Sequence, residues 1–108
     1  MSAYVLRRFA RRQASRPKRE IKPTRATRRV LLVLLTGAGR LSGYPIARAA
    51  QVNSGGVYVI LARLERIGWV ASDWEQGKPE GERRRFYQLT RYGRAKALEM
   101  LGLDNGHV

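Results

Sequence analysis

The sequence predicts an α+β fold, mainly α, in which three helices are followed by a two-stranded hairpin and a C-terminal helix behind a basic N-terminal arm. Three observations predict it. Apolar residues recur at three- and four-residue spacing in three successive blocks, the signature of amphipathic helices. Two short extended stretches then flank the loop EQGKPEGE, whose Gly77, Pro79 and Gly81 are turn formers. Charge, finally, is uneven: the chain carries +14, and residues 1–29 hold 11 Lys+Arg against a single acid, Glu20. That leaves +10 in the first 29 residues and +4 in the rest. With 108 residues one domain is expected, with a real but modest core. The expected boundaries are an arm over 1–23, a folded domain over 24–103 and a frayed tail over 104–108.

In the arm, Tyr4, Val5, Leu6, Phe9 and Ala10 alternate with the pairs Arg7/Arg8 and Arg11/Arg12, the pattern of a short amphipathic helix. Alone in water so short a helix barely nucleates, so a flexible segment that orders on a partner is expected. The same composition suits an organellar transit peptide, a reading kept open beside it.

Thr24 can cap the first helix, which runs to Gly37 and Gly39. Val30, Leu31, Leu34 and Leu35 make its inner stripe, Leu32 and Val33 widen it, and the near all-round apolarity predicts burial. The second helix spans Arg40–Ala50, with Ser42 or Gly43 opening it and Pro45 in the first turn, where its missing N–H costs nothing. Ile46, Ala47 and Ala50 face inward. After a turn through Gln51–Gly55 comes the third helix, capped by Ser54, with Val57, Ile60, Leu61, Leu64 and Ile67 on one face. Gly68 stands where a helix end favours a left-handed residue.

Strands over Trp69–Trp74 and Arg83–Thr90 form the hairpin, with Phe86 and Tyr87 on opposite sides. Of Trp69 and Trp74, five apart, one belongs to the core and the other is free for a partner surface. Thr90 caps a last helix to about Leu101. A short helix, a turn and a longer helix make a helix-turn-helix, and the hairpin behind it makes the arrangement a winged one.

The charge directs attention to polyanions, nucleic acid first. A helix with small polar residues at its start and arginines on its outer side can enter a DNA major groove. Gln51, Asn53, Ser54 and Gly55 stand at that start, and Tyr58 and Arg63 follow on the outer face. Tyr58 fits a phosphate or base contact and a half-buried packing role equally by position. Arg63 and Arg66 either reach phosphates or stay solvated. In the hairpin, Lys78, Arg83 and Arg84 are phosphate or minor-groove candidates, although Glu75, Glu80 and Glu82 among them weaken the local field. Arg85 is placed to pair with a strand neighbour instead. Arg25 and Arg28 end the basic run and can track phosphates with the arm.

Enzyme chemistry finds little support. The chain has no cysteine, and its one histidine, His107, is in the tail. Gly37-Ala38-Gly39 lacks the lysine and hydroxyl residue of a phosphate loop. Neither a metal site nor a cofactor is expected, and no apolar run approaches the length of a membrane span. The absence of cysteine fits a reducing compartment, so a cytoplasmic, nucleoid-associated protein is expected. Two other readings stay open: a basic RNA- or ribosome-associated protein, and a protein-interaction module whose arm serves solubility.

Several pieces of the sequence resemble the PadR-like winged-helix transcriptional regulators of bacteria. They are Ser42-Gly43-Tyr44-Pro45-Ile46, Ser54-Gly55-Gly56-Val57-Tyr58, Leu61 with Leu64-Glu65-Arg66-Ile67-Gly68-Trp69-Val70, and Arg85-Phe86-Tyr87-Gln88-Leu89-Thr90 with Gly93. The resemblance covers roughly Val30–Leu98, and the combination of the last two runs at this separation is fairly specific. It implies a dimeric repressor that binds double-stranded operator DNA with the third helix and the wing, with the tyrosine at Tyr58 near the DNA. In that family C-terminal helices serve dimerisation, whereas here only a short tail follows the last predicted helix; a homodimer through N-terminal or C-terminal helices is the protein partner expected. Val59 stands where such proteins often carry proline, and the basic arm has no counterpart in the pattern.

Overall fold

The computed structural model describes residues 22, 24–37 and 39–103. The expected amphipathic helix of the arm and the frayed tail lie outside the described residues. Four helices and a three-stranded antiparallel sheet make up the fold. Helix α1 spans Arg25–Thr36, and its N-cap Thr24 accepts a hydrogen bond from the Thr27 N–H at 3.1 Å. Strand β1 (Leu41–Ser42) leads into α2 (Gly43–Ala50), and a turn connects this to α3 (Ser54–Arg66). Strands β2 (Val70–Trp74) and β3 (Arg85–Leu89) form the hairpin, whose loop contains a single 3-10 turn, Glu80–Glu82. Helix α4 (Arg91–Leu101) closes the described chain, capped by Thr90, whose hydroxyl accepts from the Gly93 N–H at 2.8 Å.

Three expectations are corrected. The second helix does not begin at Arg40: Leu41 and Ser42 are extended and pair with Tyr87 and Phe86. The free edge of β3 offers unpaired backbone groups, and two residues of β1 satisfy them before the chain turns into α2. The sheet therefore has the order β1-β3-β2, and the wing rests on three strands where two were expected. The cap of α3 is Asn53, not Ser54. The Asn53 carboxamide oxygen accepts from the Gly56 N–H at 2.7 Å, and its backbone is extended at φ −65°, ψ 157°. Ser54 is thereby the first helical residue. Finally, α1 is not buried all round. Val30, Leu31 and Leu34 are in the core, whereas Leu32 is exposed, because α2, α3 and α4 cover only one side of the helix.

The core is built from the faces that periodicity selects. Leu31, Ile46, Val57, Leu61 and Leu64 are buried, joined by Val70 and Tyr87 from the sheet and Ala97 from α4. Along β3 the side chains alternate, so Tyr87 points into the core and Phe86 to the outer face. Trp69 is 2% exposed and Trp74 47%, which settles the tryptophan pair as one core residue and one surface residue.

At the base of the wing, four residues lock three elements together. Gly68 is left-handed at φ 85°, as its place after α3 predicts. The next residue, Trp69, donates its N–H to the Leu64 carbonyl at 2.8 Å. Its own carbonyl accepts the Thr90 N–H at 2.9 Å, and the Thr90 hydroxyl donates to the Gly68 carbonyl at 2.7 Å. Gly93, on the first turn of α4, lies so close to the Trp69 backbone that an added Cβ would overlap its carbonyl. Helix end, strand start and the cap of the next helix meet at one point.

Gly93→Ala is therefore expected to destabilise the protein by about 1–3 kcal/mol, because a backbone obstacle cannot swing aside as a side chain can. That corresponds to a fall of about 4–8 °C in the thermal midpoint per kcal/mol for a domain of this size. A calorimetric midpoint equal to that of the wild type would show that α4 is not seated on Trp69.

Candidate nucleic-acid interface

The turn between α2 and α3 sets the exposed surface. Gln51 ends α2 in the left-handed region, at φ 57° and ψ 46°, the one described non-glycine residue with positive φ. Its N–H reaches the Arg48 carbonyl at 3.2 Å and the Val52 N–H reaches the Ala47 carbonyl at 3.0 Å. Gln51 thus serves the backbone path, while its side chain is exposed. Asn53, Ser54 and Gly55 are exposed at the opening of α3. The first N–H groups of a helix point along its axis, and the macrodipole makes that end favourable for an anion. The first turn of α3 holds no acid, and its last turn holds Arg63 and Arg66, both exposed.

Tyr58 is half-exposed and half-packed. It is 46% exposed, yet its ring lies on Gly43, where a Cβ would stand 2.6 Å from the ring carbon Cε1. Gly43 is the first residue of α2, so the absence of a side chain there lets the tyrosine of one helix rest on the start of the other. One part of the ring is held by packing and the rest faces outward.

Sequence reasoning missed three neighbours. Tyr44, 63% exposed on α2, has the Arg48 guanidinium 5.8 Å from its ring centre, with Nη1 donating to the phenol oxygen at 3.4 Å. The i, i+4 spacing of Tyr44 and Arg48 was the available signal. Val59 is exposed beside Tyr58 and adds an apolar surface to the outer face of α3.

The hairpin tip is arranged by one carboxylate. Glu75 lies 3.8 Å from the Lys78 ammonium and 3.5 Å from the Arg84 guanidinium. The Arg84 N–H donates to Glu75 Oε1 at 3.3 Å, and the Glu75 N–H donates to the Arg84 carbonyl at 2.8 Å. Arg83 donates through Nε to the Lys78 carbonyl at 2.9 Å. Burial pushes the Glu75 carboxyl up, but the hydrogen bonds from Arg84 and the charges of Lys78 and Arg84 outweigh it and hold the group below its ordinary value. All three basic candidates of the hairpin are thus brought together at its tip. Behind them, Phe86 has the Arg40 guanidinium 5.1 Å and the Arg84 guanidinium 5.7 Å from its ring centre.

Arg25 and Arg28 sit elsewhere, on α1. Arg25 is exposed on the first turn, and Arg28 donates through Nη1 to the Met100 carbonyl at 3.2 Å, in the last turn of α4. Among the described residues, no group of three acidic, histidine or cysteine side chains is placed to hold a metal ion, and no helix is long and apolar enough to cross a membrane.

Comparison with known proteins supplies independent information. The family model of the transcriptional regulator PadR-like family matches residues 31–99. No curated protein matches the chain in sequence. Among solved structures, NadR, determined in complex with 4-hydroxyphenylacetate, is 27% identical, with a TM-score of 0.62 over 78% of this chain and 57% of its own. This chain thus spans little more than half the length of NadR. The transcriptional regulator PA4135 is 27% identical, with a TM-score of 0.63 over 98% of this chain and 78% of its own. A MarR-family regulator from Silicibacter pomeroyi, 20% identical, shares the fold with a TM-score of 0.65 over 95% of this chain and 68% of its own.

The Glu75 cluster makes a pH prediction. A carboxyl held low in the folded state stabilises the structure above its unfolded pKa and loses that contribution as pH falls through its folded value. Amide hydrogen exchange at the hairpin tip, corrected for intrinsic rates, is expected to quicken relative to the hairpin base on acidification below the usual carboxylate range. Glu75→Gln should remove that pH dependence. A tip whose relative protection is constant with pH would contradict the arrangement.

Proposed function

The chain belongs to the transcriptional regulator PadR-like family, and we propose that it acts as a repressor, occupying a specific duplex with α3 in the major groove and the wing against the flanking backbone. The observation that carries this reading is the exposed, acid-free opening of α3, with Tyr58 outward and the helix-turn-helix closed behind it on Gly43.

In this reading Gln51, Asn53, Ser54 and Gly55 meet bases or phosphates at the helix start, where short side chains allow close approach. Tyr58 and Arg63 continue the contact along the outer face. Lys78, Arg83 and Arg84 meet phosphates from the wing tip, with Glu75 ordering two of them at the cost of some positive potential. Lys78 and Arg84 are themselves exposed, so each can turn from Glu75 to a phosphate. The basic arm over 1–23 adds sequence-independent attraction to the domain over 24–103, and Arg25 and Arg28 extend its charge into α1.

A second copy of the chain is the expected protein partner. Support comes from α1 and α4, which pack together and leave Leu32 and Tyr92 exposed, with Leu103 exposed just after α4. Two copies joined there would present two recognition helices to a two-fold symmetric site. A regulator of this kind works in the cytoplasm at the nucleoid, without catalysis and without a resident cofactor.

Selection of bound sequences from a random duplex pool is expected to return a palindromic site, and duplex DNA should outcompete RNA of equal length. Affinity should fall about 10³-fold or more between 50 and 200 mM salt if six or more phosphates are neutralised, each adding about −0.9 to the log–log slope. A flat salt dependence, or an RNA that competes better than duplex DNA, would contradict the reading.

A further inference from the structure

We propose that Glu65, Ser72 and Arg85 form a latch between the end of α3 and the wing, and that this latch sets the discrimination of the protein between its site and random duplex. The inference rests on the DNA-binding reading above and adds positioning residues to it.

The geometry is a closed ring of three side chains. The Ser72 hydroxyl donates to Glu65 Oε2 at 2.6 Å and accepts from Arg85 Nε at 3.0 Å. The second arm of the Arg85 guanidinium, Nη2, lies 3.6 Å from the same Glu65 oxygen. Arg85 also stacks on the Trp74 ring, its guanidinium carbon 5.0 Å from the ring centre. Trp74 and Arg85 are register partners across β2 and β3, and Ser72 pairs with Tyr87 two residues nearer the core. The ring therefore ties both strands of the wing to the last turn of α3. A planar fork with Nε and Nη2 directed at two acceptors fixes direction as well as distance.

Its placement is informative. Below it, Val70, Tyr87 and the Trp69–Thr90 junction hold the base of the hairpin in the core. Above it, the tip carries Lys78, Arg83 and Arg84, all exposed. The latch is thus the outermost tie between helix and wing among the interactions that the described side chains make. The wing angle it sets decides whether tip cations and the opening of α3 can touch one duplex together. Glu65 itself is unfavourable to DNA binding. A carboxylate in the last turn of a helix opposes the macrodipole, and a negative charge on a phosphate-facing helix repels the ligand. Removing it therefore has opposite effects on two modes of binding: general attraction rises, while the fixed geometry that discrimination needs is lost.

The test uses the full chain and two duplexes of equal length, one selected by the wild type from a random pool and one scrambled. For Glu65→Gln and Ser72→Ala the affinity ratio between the duplexes is expected to fall about tenfold or more, equivalent to about 1.4 kcal/mol. Affinity for the scrambled duplex stays constant in S72A and rises in E65Q. Ser72→Thr keeps the hydroxyl and restores the ratio. Thermal midpoints, measured alongside, separate a lost angle from a lost fold. A ratio preserved in S72A, or affinities for both duplexes falling together with the midpoint, would overturn the latch and leave the DNA reading intact. A wild type unable to discriminate would overturn both.

Discussion

The wing hangs from a single close contact, the seat of Gly93 on the Trp69 backbone. Side chains elsewhere in the core trade volume with their neighbours, but here the first turn of α4 meets a peptide group with no room for even a methyl. The hydrogen bonds of Thr90 to the Gly68 and Trp69 carbonyls fill the same point. Gly68 supplies the left-handed turn that brings Trp69 there, and the Trp69 ring, fully embedded, fixes the outcome. Because α3 ends at this junction and the hairpin begins and ends at it, the relative position of helix and wing is decided before any surface residue acts. The Glu65–Ser72–Arg85 ring then refines that position farther out.

In the proposed function this division separates specificity from attraction. The opening of α3 is polar, small and uncharged, the chemistry of close base and phosphate contact. Half of the net charge, +7 of +14, lies before Thr24, in the sequence of the arm, and the wing tip carries as many acids as bases among Glu75, Lys78, Glu80, Glu82, Arg83 and Arg84. The folded domain over 24–103 carries the other basic residues, 14 Lys+Arg against six acids, but at the wing tip the two signs cancel. The arm supplies a long-range field that acts on any polyanion and is screened by salt.

Most of the fold was legible because period and punctuation agreed. The core face of α3, its stop at Gly68 and the caps Thr24 and Thr90 all follow local rules, and local rules survive folding. What escaped depends on pairing across the chain. Leu41 and Ser42 carry no strand signal of their own; they extend because β3, more than forty residues on, has an open edge. The cap moved from Ser54 to Asn53 because two adjacent residues both make good caps, and backbone angles chose between them. The candidate site was legible as a segment but not as a set of roles. That Tyr58 rests on Gly43, that Glu75 gathers Lys78 and Arg84, and that Arg28 turns to the Met100 carbonyl are all matters of tertiary proximity. The pairing of Arg85 with a strand neighbour was foreseen, but its link to α3 through Glu65 was not.

The proposed function requires α3 and the wing tip to meet one ligand together. Backbone amide chemical shifts of the isotope-labelled full chain, followed during titration with a selected duplex, test this most directly. The prediction is that the largest changes fall on Gln51–Arg63 and on 76–84, saturate at one common stoichiometry, and leave the buried face of α1 little altered. Changes confined to α1 and α4, with Asn53, Gly56 and the wing tip unmoved, would contradict it.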